Sequence, residues 1–144
     1  MADLPTNSGG KKRLLIADDD PDIRAVLRES LEPDWNVLGE AGNGFEAVRA
    51  TERLRPDVVL LDVSMPIMNG FAAAKRIKQI MPDVLIIFVS QHSDAAYLEE
   101  AFRLGASAYV LKRAAMTDLG LALESAMAGR TFCSLIERRA GTPG

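Results

Sequence analysis

The stretch Val58-Val59-Leu60-Leu61-Asp62 decides the fold: four apolar residues that stop on an acid. Three other runs behave the same way. Leu14-Leu15-Ile16-Ala17 stops at Asp18-Asp19, Val84-Leu85-Ile86-Ile87-Phe88-Val89 at Ser90, and Ala108-Tyr109-Val110-Leu111 at Lys112. Short unbroken apolar runs mark strands buried on both faces of a parallel sheet. In such sheets ligands bind beyond the carboxyl ends of the strands. The four ends therefore point into one crevice with three carboxylates, a hydroxyl and an ammonium. Such a set suits a hard divalent cation and a phosphoryl group carried on an aspartate.

Outward from these runs, strand and helix alternate five times. Strands are predicted at 13–17, 35–40, 58–62, 84–90 and 108–112. Helices are predicted at 21–31, from the turn Gly42-Asn43-Gly44 to about 55, and at 71–81, 93–104 and 116–128. Asp20 and Pro21 read as the N-cap and first position of the first helix. Pro56 limits the second, since the residue before a proline avoids helical backbone. Gly105 stops the fourth. Five β–α units with right-handed crossovers give an α/β fold. It is a doubly wound five-stranded parallel sheet with helices on both faces. The flavodoxin-like order 2-1-3-4-5 places the first and third strands at the switch point, where Asp18, Asp19 and Asp62 would meet.

At 144 residues the chain suits one domain. Residues 1–11 read as a disordered lead-in, 12–130 as the folded domain and 131–144 as a partly disordered tail. Lys11-Lys12-Arg13 reads as a solvated approach to the first strand. A net charge of −3 argues against bulk electrostatic binding of nucleic acid or anionic membrane by this domain. The single cysteine, Cys133, excludes a disulfide within the chain and suits a reducing, cytoplasmic setting. Among other residues, Trp35 and Phe45 read as packing residues, Met65 and Met68 as loop packing, and Cys133 as a partly buried small hydrophobe of the tail.

Three carboxylates in one crevice repel one another and call for a cation. All-oxygen donors with open positions suit Mg²⁺. Lys112 can pair with phosphoryl oxygens as a point charge, and Ser90 can hydrogen-bond another. Each feature alone is weak, because a strand-end aspartate is more often a cap or turn former. Their joint occurrence in this order carries the signal.

These residues resemble the receiver domain of two-component response regulators over about residues 12–130. The resemblance rests on Ile16-Ala17-Asp18-Asp19-Asp20, on Leu61-Asp62-Val63-Ser64-Met65-Pro66 with Gly70, on Val89-Ser90, and on the run from Gly105 to Lys112. The segment from Leu38 to Gly44 and the pair Gln91-His92 resemble the NarL/FixJ-like subgroup. The resemblance implies that Asp62 is the phosphoacceptor. It implies that Asp18, Asp19, Asp62 and the backbone carbonyl of Ser64 hold Mg²⁺. It also implies that Lys112 contacts the phosphoryl group and that Ser90 and Tyr109 form a conformational switch. Phosphorylation would pull Ser90 toward Asp62, and the Tyr109 ring would turn from exposed to buried. The changed surface would be the fourth helix, fifth strand and fifth helix, where Tyr97, Leu98, Ala101 and Phe102 supply apolar area for a partner or a homodimer of the phosphorylated form. The implied partner is a sensor histidine kinase or a phosphotransfer protein. Transfer onto itself and hydrolysis of its own acyl phosphate would be its only reactions.

The chain departs from that pattern in three ways. Arg113 stands after the lysine where many receivers have proline, so a trans bond is expected there, and Arg113 is a candidate modulator along with Ser64 and His92. Asp20 is a third consecutive acid and is assigned to capping rather than metal. NarL/FixJ-like proteins carry a helix-turn-helix output domain after a linker, and this chain stops at Gly144. Two readings stand: a single-domain regulator, or the receiver fragment of a DNA-binding regulator. A Mg²⁺-dependent aspartyl phosphohydrolase is a further alternative. Hydrolases of the haloacid-dehalogenase type place a second aspartate two residues after the nucleophile, and here that position is Ser64. No Gly-x-x-x-x-Gly-Lys-Ser/Thr run is present for a P-loop.

Overall fold

The structure, a computed structural model, describes residues 11–134. Strands β1 (Arg13–Ala17), β2 (Asn36–Ala41), β3 (Val58–Leu61), β4 (Leu85–Ser90), β5 (Ala108–Leu111) and β6 (Phe132–Cys133) form one sheet in the order 2-1-3-4-5-6. All neighbours are parallel. The order 2-1-3-4-5 is as expected, but the sheet has six strands rather than five. The tail supplies the sixth, with Phe132 beside Ala108 and Cys133 beside Tyr109. The remaining residues of the predicted tail and most of the predicted lead-in lie outside the described residues.

The sheet is covered on both faces. One face of its strands, with Leu14, Ile16, Leu60, Ile87 and Val110, packs against α1 (Pro21–Leu31) and α5 (Ala115–Met127). The other, with Leu15, Leu61, Phe88 and Tyr109, packs against α2 (Gly44–Leu54), α3 (Gly70–Ile80) and α4 (Ala95–Arg103). Burial on both faces explains why β1, β3 and β4 read as continuous apolar runs and not as alternation. Trp35 packs on the α1/α5 side.

Side-chain caps start three helices where polar residues follow a strand or loop. Asp20 accepts from the Asp22 amide at 2.9 Å, Asn43 from Glu46 at 2.8 Å and Asn69 from Ala72 at 2.9 Å. Arg55 ends α2 with left-handed backbone, φ 51°, directly before Pro56. Each polar strand end is thereby delivered to the same edge of the sheet, followed at once by a turn.

Candidate functional site

The crevice forms where β1 and β3 end side by side. Ala17 pairs with Leu61, so Asp18 and Asp62 are neighbours one residue beyond. Asp18 is 1% and Asp62 3% exposed, and Asp19 stands at the open side. One carboxylate oxygen from each lies within 4.8 Å of the other two. Ser90 ends β4 fully buried, and Lys112 follows β5 in a one-turn 3₁₀ helix, Lys112–Ala114. Lys112 Nζ lies 2.9 Å from Asp18 Oδ2 and 3.1 Å from Asp62 Oδ2. Asp18, Asp19, Asp62 and Lys112 thus meet in one cluster, as the strand order required.

The backbone beneath Asp62 fixes its direction. The Asp62 amide donates to the Ala17 carbonyl at 2.9 Å, joining the β1 and β3 ends. The loop after Asp62 folds back so that the Gly70 amide reaches the Val63 carbonyl at 2.7 Å. A Cβ at Gly70 would collide with the Asp62 carbonyl. Asp20 is turned out of the cluster: its amide donates to Asp18 Oδ1 at 2.9 Å and its side chain caps α1. That agrees with its reading as a cap.

Electrostatics keep the cluster far from an ordinary surface. Burial, and then the charge of Asp18, push the Asp62 carboxyl up to about 6, with Lys112 opposing. Burial by itself lowers the Lys112 ammonium, but hydrogen bonding to Asp18 and the charges of Asp62 and Asp18 outweigh it and leave it raised. Asp18 Oδ2 is buried, and the group that meets its charge is the Lys112 ammonium 2.9 Å away. Three carboxylate oxygens within 4.8 Å of one another, facing a single ammonium, form an oxygen-only donor set that fits a hard cation such as Mg²⁺.

The neighbouring loops complete the site. The Ser64 amide donates to Asp62 Oδ1 at 3.3 Å, and Ser64 Oγ is hydrogen-bonded to His92 Nε2 at 2.7 Å. The His92 amide donates to Ser90 Oγ at 3.0 Å. A cleft of about 590 Å³ opens beside Asp19, lined by Ser64, Met65, Asn69, Phe71 and Tyr97 among others. Tyr109 is fully buried, and its hydroxyl donates to the His92 carbonyl at 2.7 Å. The ring is therefore already inside the fold, not in the exposed starting position expected from sequence. Arg113 is exposed, and no cis bond occurs among the described residues. On α4, Tyr97, Leu98 and Phe102 are partly buried against the core, while large apolar side chains left exposed include Met116, Leu121 and Met127 on α5.

Two supports were missed in the sequence. Arg24 Nη1 donates to the Asp18 carbonyl at 2.7 Å while its Nε pairs with Glu40 at 2.9 Å. The Arg28 hydrogen bond, followed by that of Arg24, holds the Glu40 carboxyl below its ordinary value, against burial. The signal was an arginine one turn into α1 and a lone acid on β2. Ser134 is the second: its hydroxyl accepts from the Leu111 amide at 3.2 Å and donates to Asp118 Oδ2 at 2.7 Å.

Residues 14–124 match the response regulator receiver domain family. The chain belongs to that family. It is 35% identical over 123 residues to the nitrate/nitrite response regulator protein NarL of Escherichia coli, covering 84% of this chain and 57% of NarL. It superposes on a LuxR-family two-component response regulator from Aurantimonas sp. SI85-9A1 with a TM-score of 0.81 and 32% identity, covering 85% and 89% of the two chains. The isolated REC domain of RcsB from Salmonella enterica serovar Typhimurium, solved in the presence of phosphomimetic BeF₃⁻, gives 0.78 and 31%, covering 85% and 93%. The receiver chain spans about half to three-fifths of the length of the curated regulators it matches. No described helix is long and apolar enough to cross a membrane.

Proposed function

We propose that this receiver takes a phosphoryl group onto Asp62 from a histidine kinase or phosphotransfer protein and passes the change to the surface of α4, β5 and α5. The observation that carries the reading is the Asp18–Asp62–Lys112 cluster: two buried carboxylates side by side, paired with one ammonium. An Asp62 oxygen attacks phosphorus, the bond from phosphorus to the donor's imidazole nitrogen breaks, and the imidazole leaves with a proton. Mg²⁺ held by Asp18, Asp19, Asp62 and the Ser64 carbonyl would offset the charge of the phosphoryl oxygens. Lys112 supplies a cation to one phosphoryl oxygen, and the Ser90 hydroxyl turns toward another. Burial of Asp62 between Asp18 and Ser90 limits water at the acyl phosphate. Hydrolysis of that bond returns the domain to its starting state, and no external substrate is turned over.

Acetyl phosphate with Mg²⁺ should add one phosphoryl mass to the wild type and none to Asp62→Asn. An adduct of equal yield in the variant refutes the assignment. A homodimer of the phosphorylated form through the α4–β5–α5 face belongs to the same proposal. Sedimentation with and without beryllofluoride tests it, and an unchanged mass distribution across concentration refutes it. The protein named "Nitrate/nitrite response regulator protein NarL" supports a regulatory role downstream. A receiver domain acting within a longer DNA-binding regulator is a proposal on the same footing.

A further inference from the structure

Helices α1, α2 and α3 each begin on a side-chain cap, whereas among the described residues the Asp94 side chain makes no capping bond at the start of α4. Ala101 is the one fully buried residue of α4. Besides the Asp94 carbonyl, which accepts from the Tyr97 and Leu98 amides, the start of α4 packs inward through Tyr97 and Leu98. The Tyr97 ring stacks on the His92 imidazole, centroids 4.3 Å apart and planes 12° off parallel. Its other neighbour is Phe71, at 5.9 Å. Phe71 meets Phe88 edge-on at 5.3 Å, Phe88 lies 6.3 Å from Tyr109, and the Tyr109 hydroxyl returns to the His92 carbonyl. The five residues form a closed circuit through α4, α3, β4, β5 and the loop after β4.

His92 ties the circuit to two serine hydroxyls, and one of these serines, Ser64, touches Asp62 through its amide. Ser90 Oγ accepts from the His92 amide, and Ser64 Oγ bonds His92 Nε2. A hydroxyl with one proton and two lone pairs can keep accepting from an amide while donating to a phosphoryl oxygen, so Ser90 need not release His92. Ser64 is different. It is exposed, it sits on the Asp62 loop, and its amide already touches Asp62 Oδ1. In the tautomer with Nδ1 protonated, Nε2 accepts the one Ser64 hydroxyl proton, and a phosphoryl oxygen, a charged and stronger acceptor than an imidazole nitrogen, competes for it.

We infer that His92 is a positioning residue that fastens the first turn of α4 to the Asp62 loop, its ring aimed by Ser64 and its face holding Tyr97. The inference rests on the reading of Asp62 as phosphoacceptor and deepens it by naming the path to α4. A phosphoryl group on Asp62 recruits the Ser64 hydroxyl, the imidazole loses its orientation, and Tyr97 loses the surface on which it stacks. The helix end then shifts between two arrangements that differ in this one contact set, which is what a population switch requires.

Amide hydrogen exchange across residues 93–99, read on the metal-free protein, tests the fastening by itself. Ser64→Ala removes the bond from one side. His92→Phe removes it from the other and keeps an aromatic face. Each should raise exchange in this segment several-fold, and the double variant should go no further than the larger single effect. Ser64→Thr, which keeps the hydroxyl, should match the wild type. Amides of β1 and β3 report whether a variant is globally loosened, and they should stay at wild-type protection. Unchanged exchange in either single variant, or effects that multiply in the double, overturns the inference. With Mg²⁺ and beryllofluoride the wild-type segment should lose protection, and His92→Phe, already loosened, should change little. A wild type that binds beryllofluoride with no change at 93–99 overturns the transmission step. A wild type that fails to bind it refutes the Asp62 reading instead, and the metal-free comparison still decides the fastening.

Discussion

Gly70 lies directly under Asp62, so close that a methyl group on its Cα would collide with the Asp62 backbone carbonyl. The strand end, the loop and the start of α3 are packed against one another at that point. Gly70→Ala must displace backbone and not a flexible side chain, and overpacking of that kind costs about 1–3 kcal/mol or more. Gly120 is the opposite case. It is exposed within α5, and nothing lies within 4 Å of the space its Cβ would take. Gly120→Ala should stabilise by about 0.5–1 kcal/mol through helix propensity. Urea unfolding followed by Trp35 fluorescence should give shifts of opposite sign for the two variants. Similar shifts would contradict the packing described under Asp62.

The Asp62 carboxyl makes the metal-free domain sensitive to pH in a stated direction. Its value is raised to about 6 from 3.8, by burial first and the Asp18 charge second. The folded state therefore holds a proton that the unfolded chain has lost between these values. The stability this provides is complete below about pH 4 and is lost as pH rises through about 6. At about 1.4 kcal/mol per unit the loss is on the order of 1–3 kcal/mol. Wild type should lose stability relative to Asp62→Asn between pH 4 and 7, and the difference should level off above that. A difference that stays flat with pH would contradict the raised carboxyl.

Asp19 and Asp20 are adjacent acids with separable roles, and their alanine variants should fail in different assays. Asp19 offers an oxygen to the three-carboxylate cluster. Asp20 caps α1 through the Asp22 amide. Asp19→Ala should weaken Mg²⁺ binding in calorimetric titration with little loss of stability. Asp20→Ala should cost about 1 kcal/mol of stability, as lost caps do, and leave Mg²⁺ affinity nearly unchanged. Equal losses of Mg²⁺ affinity would refute the division.

The legible part of the molecule follows from burial. Sheet residues covered on both faces must be apolar without a break, so Leu14–Ala17 and Val58–Leu61 announced their own ends, and Asp18 and Asp62 were found there. Capping left an equally local trace at Asp20 before Pro21. What stayed hidden depends on distant parts of the chain. The stack of His92 on Tyr97 joins a loop to a helix at angles no periodicity encodes. Arg24 meets Glu40 only because α1 lies against β2. The Tyr109 ring orientation reflects the hydroxyl's partner at His92 and not a strand pattern. The sixth strand is two residues long, too short for alternation or run length to register.

Beside its backbone pairing with β5, that sixth strand is tied down by one hydroxyl just past its end, and the loss of that tie should be readable at one thiol. Cys133 is the lone cysteine, 4% exposed, and it pairs with Tyr109 beside β5. One residue later Ser134 Oγ takes the Leu111 amide and gives its proton to Asp118. Ser134→Ala leaves a buried amide without an acceptor, at a cost of about 1–3 kcal/mol. Because β6 lies at the sheet edge, the cost should fall on local opening rather than on global unfolding. Labelling of Cys133 by a thiol reagent in the native protein should then speed up roughly ten-fold for each 1.4 kcal/mol lost. The unfolding midpoint followed at Trp35, which packs on the α1/α5 side, should fall by less than that cost implies. Lys112 follows Leu111 directly, so freeing this strand end should also loosen the ammonium from Asp18 and Asp62 and slow phosphorylation by acetyl phosphate. Unchanged labelling in Ser134→Ala would show that the strand is held by its backbone pairing and by Phe132, and not by the serine.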